Sequence, residues 1–134
     1  MSEYRTSFLN APRQIELKTA PRMKPGSGEA LIELSAVGVC GSDVHWYLEG
    51  GIGTSKLSGP LTLGHEPAGR VVEIGEGVDP ALKGKRVAIE PAIHCGHCKW
   101  CLRGDINLCP NVRFLGTVPT NGAYRELMTH PAHL

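Results

Sequence analysis

No apolar run in this 134-residue sequence approaches the roughly 20 residues that a membrane-spanning helix needs. The N-terminus carries no apolar stretch behind basic residues, so no secretion signal is read there. Charge is nearly balanced, with 14 basic and 13 acidic side chains, and supplies no pull toward nucleic acid or acidic membranes. There is no internal repeat, no low-complexity tract and no linker that divides the chain. An even set of cysteines is missing too: five would leave one thiol over in a disulfide framework. Together these absences predict a cytoplasmic protein with no membrane or nucleic-acid partner, whose reduced thiols serve as ligands.

What is present reads as one domain, residues 1–134, with an ordinary 41% hydrophobic content. The 17 glycines and 10 prolines are scattered between short apolar runs, which is the pattern of strands and turns. Residues 14–18 alternate like a half-buried strand, and 30–39 (ALIELSAVGV) like a buried one. Further strands are expected at 70–74, 86–89 and 124–128. A short helix is expected at 44–48, capped by Ser42 or Asp43. The fold class is mostly β, a barrel or roll with few short helices.

Four of the five cysteines lie in CGHCKWCLRGDINLC, residues 95–109. Cys95, Cys98, Cys101 and Cys109 are spaced C-x2-C-x2-C-x7-C. A two-residue gap lets the chain curl so that neighbouring thiols face one ion, and tetrahedral zinc takes four thiolates at ~2.3 Å. Such a cage has no vacancy for substrate, so its metal is structural. The spacing also touches the iron–sulfur run, but that pattern brings its fourth cysteine after three residues rather than seven. His94 and His97 lie in the loop as bystanders to a shell that the thiols already complete. The lobe is expected to span about residues 91–112.

Cys40 stands apart, at the end of the expected 30–39 strand, and His65-Glu66 follows the apolar Leu61-Thr62-Leu63. Alone, the cysteine reads as a small core hydrophobe and the His-Glu pair as solvated polarity. Together they offer thiolate, imidazole and carboxylate, a donor set that suits zinc with an open position.

Gly64-His65-Glu66-Pro67-Ala68-Gly69, with Gly75 and Val78 beyond it, resembles the zinc signature of the zinc-dependent medium-chain alcohol dehydrogenase superfamily. Val37-Gly38-Val39-Cys40-Gly41-Ser42-Asp43 resembles that family's first catalytic-zinc segment, and the four-cysteine loop its structural-zinc lobe. Residues 39–45 and 86–91 look most like the sorbitol, xylitol and related polyol dehydrogenases. The resemblance runs from about Gln14 to Leu134 and implies a GroES-like, partly open β barrel.

It also implies roles. Cys40, His65 and Glu66 would hold a catalytic zinc, Glu66 directly or through water, while Asp43 orients a ligand from behind. Ser42 would take the substrate proton and His45 pass it toward solvent, and Trp46, Tyr47 and Phe114 would line the substrate pocket. The implied reaction is oxidation of a secondary alcohol or polyol by NAD or NADP, in a homo-oligomeric parent, dimer or tetramer. The sequence departs from the family at Gly84-Lys85-Arg86-Val87, where Gly-Asp-Arg-Val is usual. It departs again at Gly41, where many alcohol dehydrogenases carry a positive side chain. No G-x-G-x-x-G occurs, so no Rossmann domain is read within these residues, and the chain alone is expected to be inactive. A further acidic zinc contact of polyol-type members would also fall beyond residue 134. The alternatives are a threonine- or butanediol-type dehydrogenase of the same superfamily, or a stand-alone zinc-stabilised binding module.

Overall fold

The computed structural model describes residues 3–134. Two strands, β1 (Glu3–Ala11) and β2 (Gln14–Pro21), form an antiparallel hairpin. They are followed by β3 (Glu29–Gly38), helix α1 (Gly41–Glu49), and the short pair β4 (Gly51–Ile52) and β5 (Ser55–Lys56). Next come β6 (Glu66–Ile74), β7 (Arg86–Ala88), β8 (Ala92–Ile93), the one-turn helix α2 (Lys99–Leu102), β9 (Arg113–Phe114) and β10 (Leu127–Pro131).

The main sheet is antiparallel, in the order β10-β3-β6-β7. β1 closes the roll from the side. Its Leu9 N–H donates to the Leu61 carbonyl at 2.8 Å, and its Ser7 N–H to the Tyr124 carbonyl at 3.0 Å. The result is a mostly β, partly open barrel with two short helices.

β3 explains why the core is split. Side chains alternate across a strand, so Ile32 faces a cluster with Ala30, Val71, Ile89, Leu115, Ala123 and Met128. Leu31 faces the other way, against Tyr4 and Leu127. A third cluster of Leu9, Trp46, Leu61 and Leu63 seats α1 on β1. Each such buried side chain contributes roughly 1.5–3 kcal/mol relative to exposure. The β3–β6 register slips between Leu34 and Ala36, and an irregularity of that kind bends a strand. It falls just before Gly38, which pairs with Glu66.

Several sequence expectations shift. Residues 14–18 do form a strand, but an exposed one, with Leu17 72% accessible, because β2 pairs with β1 and nothing packs over it. The 70–74 strand begins four residues earlier, at Glu66, and the 124–128 strand begins at Leu127. Neither Ser42 nor Asp43 is the N-cap of α1, although Asp43 closes a capping box there. The helix starts at Gly41 and its N-cap is Cys40, whose N–H donates back to Asp43 Oδ2 at 3.0 Å. The hairpin strand β1 and the two short strand pairs carried no sequence expectation.

His130, on β10, is 1% exposed, and its Nε2 lies 3.0 Å from the Glu90 carbonyl. Burial is the largest influence on its ring and lowers its pKa below the ordinary histidine value. An unfolded chain therefore binds the proton first. The stability this residue lends is complete above about pH 6.5 and drains as pH falls from there toward the lowered native value. In an NMR titration the His130 ring is expected to keep its neutral-form shifts below the ordinary histidine midpoint. Protonation at or above that midpoint would contradict the reading.

Candidate metal centres

The four-cysteine loop folds back on itself around α2. Cys98 is the N-cap of α2 and Cys101 lies within it, while Cys109 follows a 3-10 turn at Ile106–Leu108. All four sulfurs lie within 4.8 Å of one another. Thiolates ~2.3 Å from one tetrahedral zinc stand about 3.8 Å apart; Cys95 and Cys101 Sγ are 3.9 Å apart, and Cys98 and Cys101 Sγ 3.5 Å. The donor set therefore fits the ion.

Backbone amides add to the cage: Cys95 N–H points at Cys109 Sγ and Cys101 N–H at Cys98 Sγ, each at 3.5 Å. Cys95 and Cys101 do not ionise alike. Backbone hydrogen bonding, from His97 above all, brings the Cys95 thiol down to about 6, whereas burial pushes Cys101 up to about 12. Four thiolates this close repel, and a dication relieves that repulsion. His97 Nδ1 sits 2.8 Å from the Cys95 carbonyl, and His94 faces the His133 ring.

The second cluster brings Cys40, His65 and Glu66 together, with one donor atom from each inside the same 4.8 Å limit. Two stretches supply them: the β3–α1 turn gives Cys40, and the Gly64 turn leading into β6 gives His65 and Glu66. Gly64 adopts φ 92°, which L side chains rarely adopt, and a Cβ there would stand 2.8 Å from the Tyr124 ring. Asp43 ties the segments together. Its carboxylate, 3% exposed, accepts hydrogen bonds from Cys40 N–H (3.0 Å), Gly64 N–H (3.1 Å) and Tyr124 O–H (3.1 Å). Its Oδ1 also lies 3.6 Å from His65 Nδ1. Buried carboxylates need such partners, because an unpaired charge away from water is expensive.

Gly38 allows Glu66 to lean in. A Cβ at position 38 would stand 2.1 Å from Glu66 Oε2. Gly38→Ala is therefore expected to push that carboxylate aside and weaken metal binding at this cluster by roughly 10–100-fold, a loss typical of disturbed support around a metal. The fold should survive, since the clash is with the far end of a flexible side chain. Unchanged affinity in a calorimetric zinc titration would contradict this.

The remaining expected residues fall in different places. Ser42 is half-buried in the first turn of α1, and His45 lies exposed three residues on, with Nδ1 3.1 Å from Glu49 Oε1. Phe114 borders the second cluster, its ring centroid 5.4 Å from that of His65. Tyr47 lines an apolar groove of about 240 Å³ with Ile15, Val39, Val44 and Leu63. Trp46, expected at the pocket, is only 2% exposed and packs among Leu9, Leu61 and Leu63. It anchors α1 and leaves no surface for a substrate. Two neighbours were missed. Glu49 was legible as an i,i+4 partner of His45, whereas Tyr124, 81 residues from Asp43, gave no local signal.

A partly open β barrel with one closed four-sulfur cage and one open Cys–His–Glu cluster has the form of the zinc-dependent medium-chain alcohol dehydrogenases. Residues 26–134 match the alcohol dehydrogenase GroES-like domain, and the chain belongs to that family. It is 42% identical over 120 residues to sorbitol dehydrogenase of Bacillus subtilis, covering 90% of this chain and 34% of that protein. It is 44% identical over 121 residues to L-arabinitol 4-dehydrogenase of Aspergillus niger, covering 90% and 31%. Among solved structures it is similar to a protein of Escherichia coli CFT073 described as a short chain alcohol dehydrogenase, complexed with cofactor NADH. That match has a TM-score of 0.87 at 33% identity and covers 99% of this chain and 37% of the other. The chain thus spans about a third of the length of the curated relatives it matches.

Proposed function

We propose that residues 1–134 are the zinc-binding catalytic domain of a polyol dehydrogenase. The whole protein would oxidise a secondary alcohol to a ketone with NAD or NADP. The single observation that carries this is the convergence of Cys40 with His65 and Glu66, 25 and 26 residues further along the chain, onto one point, beside a separate four-thiol cage. Cys95, Cys98, Cys101 and Cys109 would hold a structural zinc in a lobe of about residues 91–112, and Cys40, His65 and Glu66 a catalytic one. Zinc in the second place supplies Lewis acidity, which makes an alcohol easier to deprotonate.

The chain's own residues do the rest. Asp43 orients His65 and the Cys40 turn. The Ser42 hydroxyl takes the proton from the substrate alcohol and His45 hands it to solvent, with Glu49 holding the His45 ring. Phe114 and Tyr47 border the substrate. A cytoplasmic setting suits this reading, because it keeps the thiols reduced. The relatives' names, sorbitol and L-arabinitol dehydrogenases, support an open-chain polyol over threonine or butanediol. A stand-alone binding module would leave the Cys–His–Glu cluster without a purpose. Hydride acceptance needs a dinucleotide-binding unit, and a homo-oligomer is the expected assembly.

The test is to assay a protein that joins this domain to such a unit against a panel of polyols, with NAD and with NADP. Ketone should form, and stop when Cys40 is replaced by alanine. Undiminished turnover in that variant would overturn the reading.

A further inference from the structure

Tyr124 touches every segment that brings a ligand to the open cluster, and it does so with chemically separable parts. Its hydroxyl lies 3.1 Å from Asp43 Oδ2 and 3.2 Å from the Gly38 carbonyl. Gly38 precedes Cys40 by two residues and Asp43 follows it by three, so one hydroxyl spans the Cys40 turn from both sides. Its ring packs at Gly64, immediately before His65. Its backbone N–H donates to the Leu63 carbonyl at 2.9 Å, and the neighbouring Ala123 N–H to the Gly64 carbonyl at 2.9 Å. The ring and main chain thus hold the His65 segment, and the hydroxyl holds the Cys40 segment.

A phenol has one proton and here faces two acceptors. The carboxylate is the stronger, since hydrogen bonds to charged acceptors are shorter and about twice as strong as neutral ones. Asp43 also receives the Cys40 and Gly64 amides, so a hydroxyl anchored to it fixes the angle between the two ligand-bearing turns. Burial and the Asp43 charge both raise the Tyr124 pKa, and the group stays a donor.

We propose that the Tyr124 hydroxyl is a positioning residue for the open metal site: it sets that site's metal affinity by locking the Cys40 turn against the His65 turn. This rests on the proposed metal-binding role of Cys40, His65 and Glu66. Remote supports of this kind change metal affinity by 10–100-fold. Tyr124→Phe isolates the effect, because it keeps the ring on Gly64 and both backbone hydrogen bonds.

The experiment uses the chain with its four-thiol cage already filled by one zinc. Cobalt(II) is then titrated in and followed by thiolate-to-cobalt charge-transfer absorption. The wild type is expected to show this band, and Cys40→Ser to lack it. Tyr124→Phe is expected to bind cobalt 10–100-fold more weakly, with its zinc content unchanged and its one-zinc form still folded, though less stable by the lost hydrogen bond to Asp43. A merely structural role would lower the melting temperature and leave the affinity of the folded chain as it was. That result, or equal cobalt affinity in the two proteins, overturns the inference while leaving the metal site itself standing. A wild-type chain without the band, or a Cys40→Ser chain that keeps it, overturns the metal-site reading and this inference with it.

Discussion

Replacing Cys98 by serine is expected to remove one zinc per chain and to unfold the lobe around it. The lobe has almost no apolar core of its own: Leu102, Leu108 and Val112 are exposed, and among its cysteines only Cys109 is buried. What holds residues 95–109 together is the convergence of four sulfurs, and metal binding to such a site is folding free energy, on the order of 10 kcal/mol in small zinc peptides. Cys98 also caps α2, accepting from the Cys101 N–H, and serine can keep that cap, so what the variant loses is the metal ligand. Hydrogen exchange should become fast across the lobe while the β10-β3-β6-β7 sheet keeps its protection. A Cys98→Ser chain with the same zinc content and equal stability would remove the cage from this account.

Ser42→Ala is expected to cut turnover by ~10²–10⁴-fold in a protein that contains the whole reaction machinery, the range typical of positioned proton transfer. Cys40 and Glu66 are committed to the metal in this reading and Asp43 to the hydrogen bonds of the ligand turns, which leaves the hydroxyl two residues beyond Cys40 to accept the proton. The rival role for Ser42, a helix cap, is already filled by Cys40. The variant should therefore lose activity without the 0.5–2 kcal/mol or so that a lost cap costs. His45→Ala should lose less, because water replaces an outer relay member, and should alter the pH profile of turnover. Full turnover in zinc-replete Ser42→Ala protein would remove the relay.

How much of this was legible in the sequence depends on whether the signal was local. The cysteine spacing within residues 95–109 is a local fact, and the lobe folds largely as that spacing implies. β3 was legible because it opens on Ala30-Leu31-Ile32, apolar residues buried on both faces of the strand. β2 was misjudged, since alternation shows that a strand has two faces but not that anything covers one of them. The start of α1 was misplaced because serine and aspartate are good N-caps in isolation, whereas here the helix begins earlier, at Gly41, and Asp43 serves at its third position, where it accepts from Cys40 as well as from the distant Gly64 and Tyr124. Trp46 was assigned to the pocket by its place in a motif, and its burial depends on Leu9 and Leu61, which no motif includes. The Cys40–His65–Glu66 cluster was legible as three residues with Asp43 behind them but not as a shape, because Tyr124, which ties their turns together, lies 58 residues beyond Glu66.

The most direct test of the central claim, two metal centres of unequal completeness, is a zinc titration followed by native mass spectrometry with a graded chelator challenge. The account predicts one zinc that resists chelation and disappears only in Cys98→Ser. It predicts a second, binding more weakly and removed first by chelator, that disappears only in Cys40→Ser. Two zincs of equal resistance, or a weak zinc that survives Cys40→Ser, would contradict it.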